Sequence, residues 1–334
     1  MSPTSYTQGS QDHSFLLSVI LSFRNEESVI PELIKRLTDT LEPLHLRYEL
    51  IFVDDDSTDG SFALLCKYHE QDKNIKIIKM SRRFGNAHCV IAGFSEAKGD
   101  ATVYLDVDLQ DPPEVIPLLL EQWRLGAEGV HTTRTIRKGE SPAKMWLTRQ
   151  AYRAINFVSD IHLPANTGDF KLLSRRAVQE LMKLHEYDPF LRGLVHWIGF
   201  KQATVLYERE ARFAGETHYS LFKSLNPARE FIRGFTSFSS LPLYFALILG
   251  FVVSLGAFIY LSIIVITRVF FGMHLPGWPA LMVTMLFLGG TILFTIGVLG
   301  IYVGRIYKEM KSRPRFITER KVGFDDDPTL AKGS

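Results

Sequence analysis

The chain has 334 residues, with 38 Lys plus Arg against 36 Asp plus Glu and a formal charge of +2. That length makes room for one well-buried core and an appendage, and the balanced charge leaves no basic footprint, so no nucleic-acid partner is expected. Two cysteines, Cys66 and Cys89, in separate apolar segments exclude a disulfide scaffold and a zinc-ligand spacing, and point to a reducing compartment.

Residues 1–14 are polar with no apolar h-region, so they read as a disordered lead-in and not as a cleavable signal. The apolar run 16–21 predicts a strand, followed by the polar turn Arg24-Asn25-Glu26-Glu27-Ser28 and a helix entered at Pro31. Residues 48–53 repeat the strand pattern and stop at Asp54-Asp55-Asp56. Strand 75–78 precedes a turn at Gly85-Asn86 and a helix through Ala97; strand 101–105 stops at Asp106 and Asp108; 130–132 predicts a fifth strand. Strands alternating with long connections predict an open α/β fold, a mainly parallel sheet with helices on both faces. Ligands of such sheets bind beyond the carboxyl ends of the strands, where both acidic clusters fall. There is no Gly-x-Gly-x-x-Gly after the first strand and no P-loop sequence, so phosphates would be held another way.

Asp106-Val107-Asp108 puts two carboxylates two residues apart at a strand end, with Gln110 next in phase. Oxygen ligands of this kind suit Mg²⁺ or Mn²⁺ shared with substrate phosphates, although a solvated turn accounts for the same spacing. In Asp54-Asp55-Asp56-Ser57-Thr58-Asp59-Gly60, Ser57 or Asp59 can cap the next helix, which leaves Asp54 and Asp55 for a ligand.

The 46% hydrophobic average conceals a C-terminal concentration: residues 234–267 carry no Asp, Glu, Lys or Arg, and after Arg268 the next charge is Arg305. Each stretch exceeds the roughly 20 residues that span a bilayer as a helix, so a two-span hairpin is expected over 241–305, broken by Gly272, Pro276 and Gly277. Cations at Arg229 and Arg233 before it, and at Lys308, Lys311, Arg313, Arg315 and Arg320 after it, orient both chain ends to the cytoplasm. The division expected is a catalytic domain over 15–219, amphipathic interfacial helices over 220–240, the hairpin, and a basic cytoplasmic tail over 306–334. Gly300-x-x-x-Gly304 offers a close-packing stripe, for the hairpin itself or for a homo-oligomer.

Three segments together, Ser22-Phe23-Arg24-Asn25-Glu26-Glu27, Val53-Asp54-Asp55-Asp56-Ser57 and Asp106-Val107-Asp108-Leu109-Gln110-Asp111-Pro112-Pro113, resemble the family 2 glycosyltransferases. Within these the chain is similar to the polyprenyl-phosphate glycosyltransferases, which include dolichol-phosphate mannose synthase and the bactoprenol glucosyltransferases. Asn166-Thr167-Gly168-Asp169-Phe170-Lys171 and the segment 212–220 extend the likeness over about residues 16 to 316.

The resemblance implies a GT-A-like fold and inverting transfer of one sugar from a nucleotide diphosphate sugar to polyprenyl (undecaprenyl) phosphate, at the cytoplasmic face of a bacterial inner membrane. It implies that Asp106 and Asp108, with Gln110, hold the metal across the leaving diphosphate. It assigns Phe23, Asn25, Glu27, Asp54, Asp55 and Asp106 to the nucleotide sugar, and Asp169 to the acceptor side as base or orienting group. Lipid phosphate favours the arginine fork, for which Arg134, Arg149, Arg153, Arg209 and Arg212 are candidates. The family's usual Gly stands as Asp56 here, and its frequent Lys as His218, which makes a contact to that phosphate pH-dependent. UDP-glucose is the expected donor; a GDP-mannose-dependent enzyme and a non-catalytic nucleotide-sugar sensor or scaffold are the alternatives.

Overall fold

The computed structural model describes residues 15–134, 167–208, 240–271 and 277–324. These fall into two compact units, one of residues 15–134, 167–208 and 314–324, the other of 240–271 and 277–313.

The first unit is built on one mixed, largely parallel sheet. Its strands are β1 (Leu16–Phe23), β2 (Arg47–Asp54), β3 (Ile75–Met80), β4 (Ala101–Asp106), β5 (Gly129–Arg134), β6 (Thr167–Ser174), β7 (Gln202–Tyr207) and β8 (Thr318–Val322). Their order is β7-β5-β6-β4-β1-β2-β3-β8. β1 pairs in parallel with β2 and β4, and β2 with β3, whereas β6 runs antiparallel to both β4 and β5. β1 and β4 are buried on both faces, so they read as almost continuous apolar runs.

The helices of this unit are α1 (Ile30–Leu41), α2 (Ser61–Gln71), α3 (Asn86–Glu96), α4 (Ile116–Arg124), α5 (Arg175–Met182) and α6 (Leu191–Trp197). α1 forms where Pro31 suits the first turn and Ile30, Leu33, Ile34, Leu37 and Leu41 make one buried stripe. It packs on the face of β1 that carries Leu17, Val19, Leu21 and Phe23. α3 covers the opposite face at close range: a Cβ on Gly93 would collide with the Ile20 side chain. α5 starts at Ser174, whose hydroxyl accepts from Ala177 N at 3.1 Å.

The chain runs from β1 outward to β2 and β3, then returns to place β4 on the other side of β1. That reversal opens a crevice beyond the carboxyl ends of β1 and β4.

β8 is a departure from the sequence reading, which ends the chain in a basic tail. It pairs antiparallel with β3 and is tied by Lys79 to Glu319 at 2.9 Å and Lys321 to Glu96 at 2.7 Å.

The second unit holds α7 (Leu241–Phe271) and α8 (Trp278–Met310). Within them, Leu241–Ile264 and Leu281–Met310 are long and apolar enough to cross a membrane, with mean hydropathies of 2.5 and 2.1. The shorter window, 24 residues, is about 36 Å long against a hydrocarbon layer of about 30 Å. None of either window is buried, unlike a core helix of a soluble domain. The interfacial helices expected over 220–240 lie outside the described residues, save Ser240.

Candidate active site

Four loops meet at the carboxyl edge of β1 to β4, and side chain to backbone hydrogen bonds knit them together. Asn25, after β1, donates its backbone N–H to Ser57 Oγ at 3.0 Å, and its Oδ1 accepts from Thr58 N at 2.8 Å. Glu27 Oε2 accepts from Gly60 N at 2.9 Å, and Glu27 N donates to Asp59 Oδ2 at 3.2 Å. A Cβ on Gly60 would meet the Glu27 carboxylate, which would have to swing out of its bond to Gly60 N. Phe23 does not join the turn. Alternation along β1 puts its ring on the core face, 5% exposed and edge-on to Phe52.

Asp54 and Asp55 divide their work. Asp54 is fully buried; its Oδ1 accepts from Ser57 N at 2.8 Å, and Oδ2 has no hydrogen-bond partner among the described residues. Burial raises its carboxyl above the usual range, with the bonds from Ser57 pulling it back. Asp55 accepts from Phe84 N at 2.6 Å and Gly85 N at 3.0 Å, which ties the β3–α3 loop to the β2 end.

Three non-glycine residues in these loops adopt left-handed backbone: Asn25 at φ 56°, Asp56 at 60° and Leu109 at 56°. Asp56 therefore stands where glycine's freedom would matter, at a cost of about 1 kcal/mol.

At the end of β4, Asp106 Oδ1 accepts from Asn86 Nδ2 at 2.9 Å, and Asn86 Oδ1 accepts from Ser22 Oγ, so the first residue of α3 bridges the ends of β1 and β4. Burial raises the pKa of Asp106 well above the carboxylate range, to about 7, and Asp169, Asp108 and Asp111 add to the rise. Asp108 Oδ1 accepts from Gln110 N at 3.2 Å. Tyr207 OH donates to Asp111, and Arg36 forks onto Glu114 with both bonds at 2.7 Å, which fixes the far end of the loop after β4.

Among the described residues no group of three or more His, Cys, Asp or Glu is disposed as a metal cage. Two carboxylates and an amide still fit Mg²⁺ or Mn²⁺, because such ions take one or two carboxylates and complete their shell with substrate phosphates and water. A half-buried carboxylate crowded by three others is the setting a divalent cation relieves.

β6 brings Asp169 to this corner. Tyr104 of β4 stands opposite Lys171 of β6, and the same register carried two residues outward sets Asp106 beside Asp169. Arg192 of α6 grips Asp169 through a fork, Nε to Oδ1 at 2.6 Å and Nη2 to Oδ2.

Below the pair lies a buried polar row on one face: Tyr104, Lys171 and His131, cross-strand neighbours in the β4-β6-β5 ladder. Lys171 Nζ has no hydrogen-bond partner among the described residues. Burial drives its ammonium down to about 7, with Asp169 pulling it up and Arg192 pushing it further down. His131 stacks on His196 at 4.2 Å. Gln202 Nε2 donates to Val195 O, so Gln202 Oε1 accepts from His131 Nε2 at 3.0 Å and the imidazole is the neutral tautomer with a bare Nδ1.

The sequence reading gives Asn86 and Lys171 no role at the site and does not name Arg192. The one available signal was a lysine inside the apolar run Phe170-Lys171-Leu172-Leu173. Arg134 ends β5, in register with Tyr207. Arg149, Arg153, Arg209, Arg212 and His218 lie outside the described residues.

The family model described as Glycosyl transferase family 2 matches residues 18–182. The chain is 40% identical over 309 residues to the uncharacterized glycosyltransferase YkcC of Bacillus subtilis (strain 168), covering 92% of this chain and 95% of that one. It is 36% identical over 304 residues to the prophage bactoprenol glucosyl transferase homolog of Escherichia coli (strain K12), covering 91% and 98%. To the bactoprenol glucosyl transferase of Shigella phage SfV it is 36% identical over 305 residues, covering 91% and 98%. A likeness of this depth over almost the full length of both partners means that the chain belongs to glycosyltransferase family 2.

Proposed function

We propose that this glycosyltransferase moves one glucose, with inversion, from UDP-glucose to the phosphate of a polyprenyl lipid such as undecaprenyl phosphate, at the cytoplasmic face of the membrane. The observation that carries the reading is the end-to-end similarity to bactoprenol glucosyl transferases, which runs through the sheet unit and both apolar helices.

The geometry supports a donor site at the crevice. The loops 24–27 and 54–58 form its nucleotide end, with Asn25, Glu27, Asp54 and Asp55 as lining residues held rigid by the bonds described. Asp106, Asp108 and Gln110 are the candidates to hold Mg²⁺ or Mn²⁺, which when bound supplies positive charge to the departing diphosphate. Asp169 stands beside Asp106 on the acceptor side. The acceptor is a phosphate monoester, whose second ionisation near pH 6 leaves it anionic and nucleophilic at neutral pH. The protein's task is then orientation and charge placement more than proton removal.

Chain connectivity supports a two-span hairpin. α8 ends at Met310 and β8, a strand of the sheet that carries the site, begins at Thr318. A hairpin that leaves this domain and returns to it has both ends on the domain's side of the bilayer, and the flanking cations make that side cytoplasmic.

The test is transfer by the purified full chain with Mn²⁺, each of UDP-glucose, UDP-N-acetylglucosamine, UDP-galactose and GDP-mannose, and undecaprenyl phosphate. A lipid product one hexose heavier, from UDP-glucose alone, is expected. A product from GDP-mannose alone overturns the donor assignment, and no glycolipid from any donor overturns the enzymatic reading.

A further inference from the structure

The Asp106 and Asp169 carboxylates lie side by side at the sheet edge, an arrangement that repels itself unless something holds it. The holding group is Arg192, which occupies both Asp169 oxygens. A two-point guanidinium clamp fixes the plane of a carboxylate as well as its position, which a single ammonium contact does not.

The clamp is mounted on a firm base. Leu191, Leu194 and Val195 of α6 are buried, Gly193 N and Leu194 N both donate to Phe190 O, and His196 stacks on His131 of the sheet. A second cation, Lys171, is fully buried on the same strand and face as Asp169. Asp169 therefore has both oxygens engaged by one guanidinium, with a second basic side chain two residues along on its own face of β6. That is a poor design for a proton acceptor and a good one for a fixed anion.

We propose that Arg192 is a positioning residue for sugar transfer: by gripping both oxygens of Asp169 it sets that carboxylate's plane beside Asp106, so that Asp169 works as an orienting anion and not as a general base. This rests on the transfer reading above and answers a question that reading leaves open, namely what Asp169 does.

The test is a double-mutant cycle in the full-length protein, assayed with Mn²⁺, UDP-glucose and undecaprenyl phosphate. Wild type is assayed first; if it makes no glycolipid, the transfer reading fails and this proposal with it. With wild-type transfer in hand, Asp169→Asn and Arg192→Gln are each expected to lower kcat by about 100-fold, the scale of a misplaced reacting group, with donor KM and melting temperature unchanged. The double variant is expected to lose the same ~100-fold, because both changes remove one device. Arg192→Lys, which keeps the charge without the fork, is expected to lose at least about tenfold, and it decides the matter if Arg192→Gln does not fold. Wild-type kcat in either arginine variant, a double-variant loss near the product of the two singles, or a loss confined to donor KM overturns the proposal while the transfer reading stands.

Discussion

Replacing Asp106 by Asn is expected to make the protein more stable and inactive. Asn keeps an oxygen where Asp106 Oδ1 accepts from Asn86, and removes the charge that burial and the neighbours Asp169, Asp108 and Asp111 disfavour. The Asp106 pKa is pushed up to about 7 from 3.8, a difference of roughly 3 units, which caps the penalty at about 4 kcal/mol at neutral pH. Sharing of that penalty with Asp169 and relaxation of a half-buried side chain reduce the expected gain to about 1–3 kcal/mol, or roughly 2–10 °C in melting temperature. The sign follows from proton linkage. A carboxyl whose folded pKa is raised binds more protons folded than unfolded between pH 4 and 7, so wild-type stability falls as pH rises through that window. Melting curves of wild type and Asp106→Asn should therefore coincide near pH 4 and diverge up to about pH 7.5, with the variant higher. A variant that melts below wild type at pH 7.5, or a gap that does not change with pH, would refute the reasoning.

Lys171→Met should also stabilise, since a buried amine with no hydrogen-bond partner among the described residues gives way to an apolar chain of similar length. Its folded pKa lies near 7, below the usual 10.5, so wild-type stability should rise from pH 7 to 10 in denaturant titrations, and the variant should lose that rise. Asp56→Gly relieves a left-handed backbone and should melt within a few degrees of wild type, whereas Asp56→Val should cost about 1–2 kcal/mol; equal melting of the two variants would contradict this. Glu49→Ala, at the opposite edge of the sheet, removes the acceptor of Ser18 Oγ, Lys98 N and Lys76 Nζ and should destabilise by about 3–5 kcal/mol while donor KM stays unchanged.

The central strands and the acidic clusters were legible because strands buried on both faces must be apolar, and β1, β2 and β4 stop where polar groups begin. The outer strands were not. β7 is half exposed at one edge, and β8, Thr-Glu-Arg-Lys-Val, is held by edge pairing and ion pairs that its composition does not announce. β6 hides because Asp169 and Lys171 interrupt its apolar face for reasons visible only once β4 lies alongside. At the site, Asp106 and Asp108 were singled out by their spacing at a strand end and Asp169 by the family resemblance alone, whereas Asn86 and Arg192 act from other elements at positions no local pattern marks. Phe23 was the reverse case: Asn25 and Glu27 of its motif bond to the loop 57–60, and strand alternation sends its ring to the core.

Asp106 and Asp108 are the proposed meeting place of donor and metal. Diffraction from crystals of the full chain grown with UDP-glucose and Mn²⁺, recorded at the manganese absorption edge, tests this most directly. An anomalous peak between those two carboxylates, with the uracil against loops 24–27 and 54–58, is the expected result. A peak elsewhere, with both carboxylates facing solvent, would contradict it.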